Sequence, residues 1–117
     1  MMLLRRNRRG YLKLREQARA LVHARLCYYN AFYGHRVGKV FIKNHKRRWG
    51  SCSERGNLNF NYKILHLPPA LQDYIIVHEL CHLAEFNHAP AFWALVARTT
   101  PNHRTLRTHL RSLERSG

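Results

Sequence analysis

Apolar residues recur at helical spacing along the first part of the chain. Between Tyr11 and Tyr33 they follow one another at three- and four-residue steps, while most basic residues fall on other faces. This period is typical of an amphipathic α-helix. The pattern therefore predicts a helix over 11–33, which should end at Gly34 because glycine readily adopts the backbone conformation found just after a helix.

The next part of the chain alternates apolar and polar residues, as half-buried strands do. The alternation is present at 39–43 and 57–62, and a further strand is expected around Trp49, within 47–53. Residues 53–57 have the composition of a turn. Three short strands that follow one another in this way predict a small β-meander with one apolar and one polar face.

Helical signals return after two prolines. Because proline is tolerated in the first turn of a helix, Pro68 and Pro69 can open a helix that runs to about Ala84. Another helix should begin near Pro90, and a last one should cover 103–114. Together with the N-terminal helix and the strands, these elements predict an α+β fold.

Length and composition exclude several classes of protein. At 117 residues, without a repeat or linker, the chain is expected to form one domain over 1–117, with a basic and flexible segment at 1–10. No apolar run approaches the roughly 18 residues of a membrane helix, and the N-terminus does not resemble a secretory signal. The three cysteines lack CxxC spacing, so no disulfide framework is expected. We therefore expect a cytoplasmic protein with no membrane partner.

The segment His78-Glu79-Leu80-Cys81-His82 has the HExxH pattern of zinc hydrolases. Residues four apart on a helix share a face, with Cβ atoms about 5–6 Å apart, so both imidazoles can bind one metal ion. The glutamate between them can handle the proton of a metal-activated water. A catalytic zinc site has three protein ligands and one open position, and His88 is the candidate third ligand.

The alternative is a helix that carries two surface histidines and binds no metal. The residues around the motif are mostly apolar, which predicts a buried helix. Histidines and a glutamate in a buried helix need polar partners or a metal ion. The sequence therefore favours the metal site.

Several segments add a resemblance to a known family. They are RWGSC at 48–52, GNLNFNY at 56–62, LPP at 67–69, YIIVHELCHL at 74–83 and NHAPAFW at 87–93. In this order they resemble the YgjP-like metal-dependent hydrolases, which are distantly related to the SprT-like and WLM proteases. The resemblance extends from about Tyr11 to Pro101 and implies a zincin-like fold of a minimal gluzincin type.

The resemblance also implies the site residues. They are His78, His82 and His88 as ligands of one Zn²⁺ ion, with Glu79 as the catalytic acid/base. One position departs from the family, since Ala89 replaces a serine that could cap the following helix, at a stability cost of about 1 kcal/mol.

The expected reaction is hydrolysis of peptide bonds in a peptide or protein substrate. One alternative is a basic nucleic-acid-binding module with a structural zinc site, which would need a fourth ligand such as Cys52 or His66. Another is hydrolysis of a non-peptide amide or ester. The group that stabilises an oxyanion stays open between Tyr74, His66 and Arg48, and the sequence leaves the oligomeric state undefined.

Positive charge is concentrated at both ends of the chain. The net charge is +13 over 1–50, −2 over 51–97 and +4 over 98–117, which accounts for the total of +15. Such basic surfaces favour anionic partners, nucleic acid first. The alternative is a solvated surface that only improves solubility.

Nucleic-acid binding by these basic ends predicts a strong dependence on salt. Affinity for duplex DNA should fall with log salt at a slope of about −0.9 per phosphate contact, or roughly −4 to −5 for about four to six contacts. Charge reversal should flatten that slope and should leave the bound zinc in place. The residues to reverse are Arg15, Arg19, Arg107 and Arg111. A titration of labelled DNA and RNA across a salt series measures the slope, and no binding at about 50 mM salt would contradict the prediction.

Overall fold

The backbone follows the predicted order of helices and strands. The computed structural model describes residues 2–116, with side chains for 9–114. Its elements are α1 (Met2–Tyr33), β1 (Val40–Lys43), β2 (Gly50–Cys52), β3 (Leu58–Asn61), a 3₁₀ turn (Tyr62–His66), α2 (Pro69–Cys81), α3 (Pro90–Ala97) and α4 (His103–Ser116). Within the described residues, no helix combines the length and the apolar character that a membrane span requires.

Helix α1 is longer than predicted, because it begins at Met2 instead of Tyr11. The added segment is rich in leucine and arginine, which favour helix, and it contains no proline. A run of charged residues gives no apolar period, so the pattern could not mark this part of the helix. The flexibility predicted for 1–10 concerns a segment in which residue 1 and the side chains of 1–8 lie outside the described residues.

The end of α1 and the start of α3 differ in how well they are capped. Gly34 follows α1 with a φ of 69° and donates its N–H to the Asn30 carbonyl at 2.8 Å, which closes the last turn. Ala89 precedes α3 and, having no polar side chain, makes no side-chain capping bond. The first turn of α3 therefore lacks the stabilisation that a serine could supply there.

The three strands form a mixed sheet in the order β1-β3-β2, so the predicted β-meander is wrong. Strand β1 pairs parallel to β3, with Val40 opposite Leu58, and β2 pairs antiparallel to β3, with Gly50 opposite Phe60. Leu58 and Phe60 are fully buried, and the strand that carries them takes the central position. Alternation of apolar residues indicates where strands lie, but it does not indicate which strands pair.

A buried amide fixes the connection between β1 and β2. The Asn61 side chain donates to the carbonyl oxygens of His45 and Arg48, at 2.7 and 2.9 Å, and accepts a bond from the Lys63 N–H at 3.0 Å. Asn61 is 3% exposed, so these bonds replace the water that it loses on folding. The connection is thereby held at the end of the central strand.

Helix α2 lies between two groups of buried side chains. On one side it contributes to the main core, which it shares with α1, β3 and α4, through Leu71, Tyr74, Ile75, Ile76 and Leu80. On the other side, Val77 and Cys81 pack against Phe92 and Val96 of α3. The apolar flanks of the motif predicted a buried helix, and this prediction is confirmed.

Neither of the two basic helices has the other among its main partners. Helix α1 packs on the 3₁₀ turn, on α2 and on β1, whereas α4 packs on α2. Direct packing of α1 against α4 therefore does not merge their positive charges into one surface.

A charged contact joins α1 to α2. The Arg25 guanidinium donates two hydrogen bonds to the Asp73 carboxylate, at 2.8 and 2.9 Å. The Tyr29 hydroxyl donates a third bond to the same carboxylate at 3.0 Å. Both charged side chains are mostly covered, with 32% of Arg25 and 25% of Asp73 exposed. Bidentate pairs of this kind are stronger than single exposed ion pairs.

We expect Asp73→Asn to lower the free energy of unfolding by about 1–2 kcal/mol, because it removes the charge that all three bonds use. The matched control is Glu16→Gln, since Glu16 pairs with Arg15 and Arg19 on the exposed face of α1. Exposed pairs contribute little, so this change should stay within about 0.5 kcal/mol. Urea unfolding of both variants at pH 7 measures the difference. Equal effects would contradict the prediction.

Candidate metal centre

Helix α2 brings His78, Glu79 and His82 together near its C-terminal end. His82 directly follows α2 but keeps helical backbone angles, φ −65° and ψ −18°, so it stays on the same face as His78. The two ring centroids are 4.8 Å apart. Because α2 is packed on both sides, the direction of these side chains is fixed by the core.

The third predicted ligand, His88, lies in the connection between α2 and α3. Its Nε2 atom is 3.0 Å from Nε2 of His82, and its ring centroid is 5.1 Å from that of His78. Among the described histidines, cysteines and acidic residues, these three form the one group that could hold a metal ion, and their ligand atoms all lie within 4.8 Å of one another. The structure therefore brings all three predicted ligands together.

The main chain determines which nitrogen of His82 is available. Its Nδ1 atom lies 3.1 Å from the Glu85 carbonyl oxygen, so Nδ1 carries the hydrogen and donates it. The lone pair of Nε2 then points towards His88, where either a hydrogen or a cation must lie between the two nitrogens. Burial lowers the pKa of His82 and of His88 below the ordinary value, which keeps both rings neutral at pH 7, as metal binding requires.

The group has suitable dimensions for a metal ion with nitrogen ligands. Zinc binds histidine nitrogen at about 2.0–2.1 Å, so two ligands of a tetrahedral ion are about 3.3 Å apart. The nitrogens here are separated by 3.0 Å to at most 4.8 Å, a range that includes this distance. Neither Cys52 nor His66, the fourth ligands considered from the sequence, belongs to the group.

Glu79 is held against the sheet and is only 6% exposed. Its Oε2 atom is 3.2 Å from Nδ1 of His78. Gly50 of β2 permits this close approach, since a Cβ atom there would lie 2.9 Å from Cγ of Glu79 and 3.0 Å from the Asn59 carbonyl oxygen. The sequence interpretation included Gly50 in a family segment but missed this role, which a glycine inside a strand can signal.

Each of the three histidines lines a different cleft: His88 lines one with Trp93, His103 and Arg107, and two further clefts adjoin β2. The first of these two, here called the α4 cleft, lies between α2, the start of β2 and α4, and its lining includes Gly50, Tyr74, His78, Glu79, Arg107 and Arg111. The second, here called the turn cleft, is lined by Ser53, Glu54, Gly56, His82, Leu83, Ala84 and Phe86. Strand β2 is at the edge of the described sheet, next to both clefts.

Helix α3 supplies an aromatic ring behind two of the histidines. The fully buried ring of Phe92 stacks on His82, with centroids 4.3 Å apart and planes at 21°. Trp93 stacks on His88 at 5.8 Å and 26°, and on its other side it stacks on His103 at 5.1 Å and 20°. His88 is exposed and lies outside any helix, so its ring is oriented by its neighbours, which include Trp93, His82 and the edge-on ring of Phe92 at 5.1 Å. The sequence interpretation included Trp93 in a family segment but did not place it against His88.

Of the candidates for oxyanion stabilisation, the structure places Tyr74 in the α4 cleft. Its ring centroid is 5.9 Å from that of His78, and burial raises the pKa of its hydroxyl, which therefore keeps its hydrogen at neutral pH. His66 and Arg48 line neither of the two clefts.

Comparison with known proteins agrees with this geometry. The profile of the YgjP-like metallopeptidase domain matches residues 6–113. The chain belongs to the YgjP-like metallopeptidase family. The predicted resemblance is therefore confirmed, and with it the prediction of a metal-dependent peptidase. A peptidase of this class needs a metal ion, and the three histidines are the group that could hold it.

Two metallopeptidase zymogens are among the solved structures that resemble this YgjP-like domain. One is the metallopeptidase zymogen abylysin of Pyrococcus abyssi, with a TM-score of 0.70, 25% identity, and coverage of 78% of this chain and 92% of abylysin. The other is the metallopeptidase zymogen jannalysin of Methanocaldococcus jannaschii, with a TM-score of 0.62, 21% identity, and coverage of 86% and 97%. They support the predicted α+β, zincin-like fold. No curated protein matches the chain.

In this YgjP-like domain, we expect Trp93→Ala to lower metal affinity on the order of 10-fold, because His88 loses one of the rings that orient it. Trp93→Phe keeps a stacking surface and should have a smaller effect. Competition with a coloured chelator measures both affinities, and circular dichroism checks the fold. Equal affinities for Trp93→Ala and the unchanged chain would show that the stack does not orient His88.

Proposed function

We propose that the chain is a zinc-dependent peptidase that hydrolyses peptide bonds. His78, His82 and His88 would hold one Zn²⁺ ion, and Glu79 would act as the general base. The observation that carries the proposal is the convergence of three imidazoles within 4.8 Å, with a buried carboxylate at the next residue along the helix. A structural role alone does not explain why three imidazoles and a carboxylate lie so close together.

The ligand set favours zinc among the common metals. Imidazole nitrogen suits zinc, whereas magnesium and calcium prefer oxygen ligands. Three neutral ligands leave the ion its full charge and one position for substrate or water. When bound, zinc would act as a Lewis acid that lowers the pKa of a water molecule to about 7.

Glu79 is placed to move protons. Its carboxylate lies beside the His78 ring, at 3.2 Å, and lines the α4 cleft. We assign it two transfers, from the attacking water to its carboxylate and from there to the leaving amine. The main chain of Gly50 limits the movement of this side chain and keeps it near the reacting atoms.

Tyr74 would supply a hydrogen bond to the oxygen of the scissile carbonyl as negative charge develops on it. Its hydroxyl keeps its hydrogen at neutral pH, as a donor must, and it lies in the same cleft as Glu79.

The edge strand β2 offers a way to align the substrate. An extended peptide can add to a sheet edge through main-chain hydrogen bonds, while its side chains enter neighbouring pockets. Because His78 and Glu79 line one of the two clefts next to β2 and His82 lines the other, a peptide bound along β2 would pass close to the reacting groups.

The structural-zinc alternative has less support. It requires a fourth protein ligand, and the group of ligand atoms among the described residues contains three. Burial and the neighbouring Glu79 raise the pKa of the Cys52 thiol to about 11, which disfavours the thiolate that zinc binds.

The decisive experiment separates metal binding from catalysis. We expect Glu79→Gln to keep the fold and about one zinc, yet to lose peptide hydrolysis by at least about 10²-fold, because only the proton acceptor is removed. His88→Ala should instead lose zinc, because the third ligand is removed. Elemental analysis, circular dichroism and cleavage of a fluorogenic peptide library measure the three properties.

Glu16→Gln, an exposed change on α1, is the control and should keep both zinc and activity. Full zinc occupancy in His88→Ala would remove His88 from the site. An unchanged hydrolysis rate in Glu79→Gln would overturn its role as the base.

A further inference from the structure

The α4 cleft contains two arginines whose placement peptide hydrolysis alone does not explain. Leu106 and Leu110 anchor α4 in the main core, and Arg107 and Arg111 follow them directly in sequence. Residues four apart share a helix face, so both guanidiniums point to the same side. That side is the α4 cleft, where they line the surface together with His78 and Glu79.

These two arginines lack an acidic partner in the described part of the chain. Arg25, Arg15 and Arg19 each form an ion pair within 4.0 Å, whereas neither Arg107 nor Arg111 does. Arg107 instead lies over the ring of Trp93, at 5.4 Å, which positions its guanidinium without neutralising it. Besides Glu79, the acidic residue in the cleft is Glu114, which is exposed and forms no ion pair within that distance.

Two positive charges beside a cation site have an electrostatic cost. They repel a metal ion held by the adjacent histidines, and their solubilising effect would be the same anywhere on a chain with net charge +15. A negatively charged group bound between them would remove this cost. Guanidinium binds carboxylate with two parallel hydrogen bonds, which makes paired arginines a selective site for that group.

The turn cleft differs from the α4 cleft in its charged residues. The turn cleft is lined by Glu54 and the exposed ring of Phe86, and by no lysine or arginine. A peptide along β2 would therefore meet two guanidiniums without an ion pair, beside Glu79 and Glu114, in the α4 cleft, and no positively charged side chain in the turn cleft. The asymmetry restricts an acidic group to the side of α4.

We propose that Arg107 and Arg111 bind a carboxylate of the peptide substrate in the α4 cleft, so that the enzyme selects acidic peptides. The carboxylate belongs either to an aspartate or glutamate side chain or to a free C-terminus. This inference rests on the proposed peptidase function and adds the class of substrate to it.

The test compares matched peptides that differ in one group. One pair carries glutamate or glutamine at each position near the cleaved bond, with the C-terminus amidated. A second pair carries a free or an amidated C-terminus without acidic side chains. We expect kcat/KM to be about 10-fold higher or more for the acidic member of at least one pair, as a charge-assisted hydrogen bond would give. The pair that responds identifies the source of the carboxylate.

The variants decide whether these two arginines are responsible. Arg107→Gln with Arg111→Gln should bring the acidic-to-neutral ratio of kcat/KM close to one, mainly through KM. Arg36→Gln with Arg55→Gln changes net charge equally at exposed positions outside both clefts, and should keep the ratio. Arg111→Glu should turn the preference towards peptides with lysine in place of glutamate.

The outcomes separate this proposal from the proposed function. Cleavage of acidic and neutral peptides at equal rates would overturn the arginine site but would leave the peptidase function standing. An equal fall of the acidic-to-neutral ratio of kcat/KM in both double variants would have the same meaning. If no peptide is cleaved, fluorescence anisotropy of the labelled peptides on the zinc-loaded Glu79→Gln chain replaces the rates. Tighter binding of acidic peptides that depends on Arg107 and Arg111 would support the site, and equal binding would overturn it.

Discussion

The burial of α2 on two sides is the constraint on which the site depends. Leu71, Ile76 and Leu80 fix one side of the helix in the main core, and Val77 and Cys81 fix the other against α3. The strip that remains free is narrow, and it carries the two motif histidines and the glutamate. Polar side chains on such a helix have little freedom to turn towards water. Their convergence is therefore set by apolar packing, and the polar contacts within the site only refine it.

The sequence was most informative where chemistry and local geometry coincide. Two histidines four apart must share a helix face, so His78 and His82 could be paired without knowledge of the fold. His88 could be added because it follows them closely and its ring cannot be far away. The apolar flanks likewise predicted that the helix is buried. These inferences needed only short-range regularities, and the structure agrees with each of them.

Features that depend on distant residues could not be derived in the same way. The connection between β1 and β2 is held by the side chain of Asn61, which lies later in the chain. The need for glycine at position 50 appears only when β2 is placed against Glu79. The contacts of Trp93 with His88 and His103 join residues on separate elements. Alternation and motif spacing describe single segments, so they cannot predict any of these three contacts between distant residues.

The proposed ligands lie close together in sequence, within 78–88, and this has a consequence for folding. Closing a short loop loses little chain entropy, so a metal ion could join the end of α2 to the following turn before distant parts of the chain have met. Any ion that binds the folded form and not the unfolded one also adds to stability in proportion to the logarithm of its free concentration. The segment that binds the ion for the reaction would then also form a local cross-link between the end of α2 and the following turn. A small domain with a modest core would be most stable when it is also ready to act.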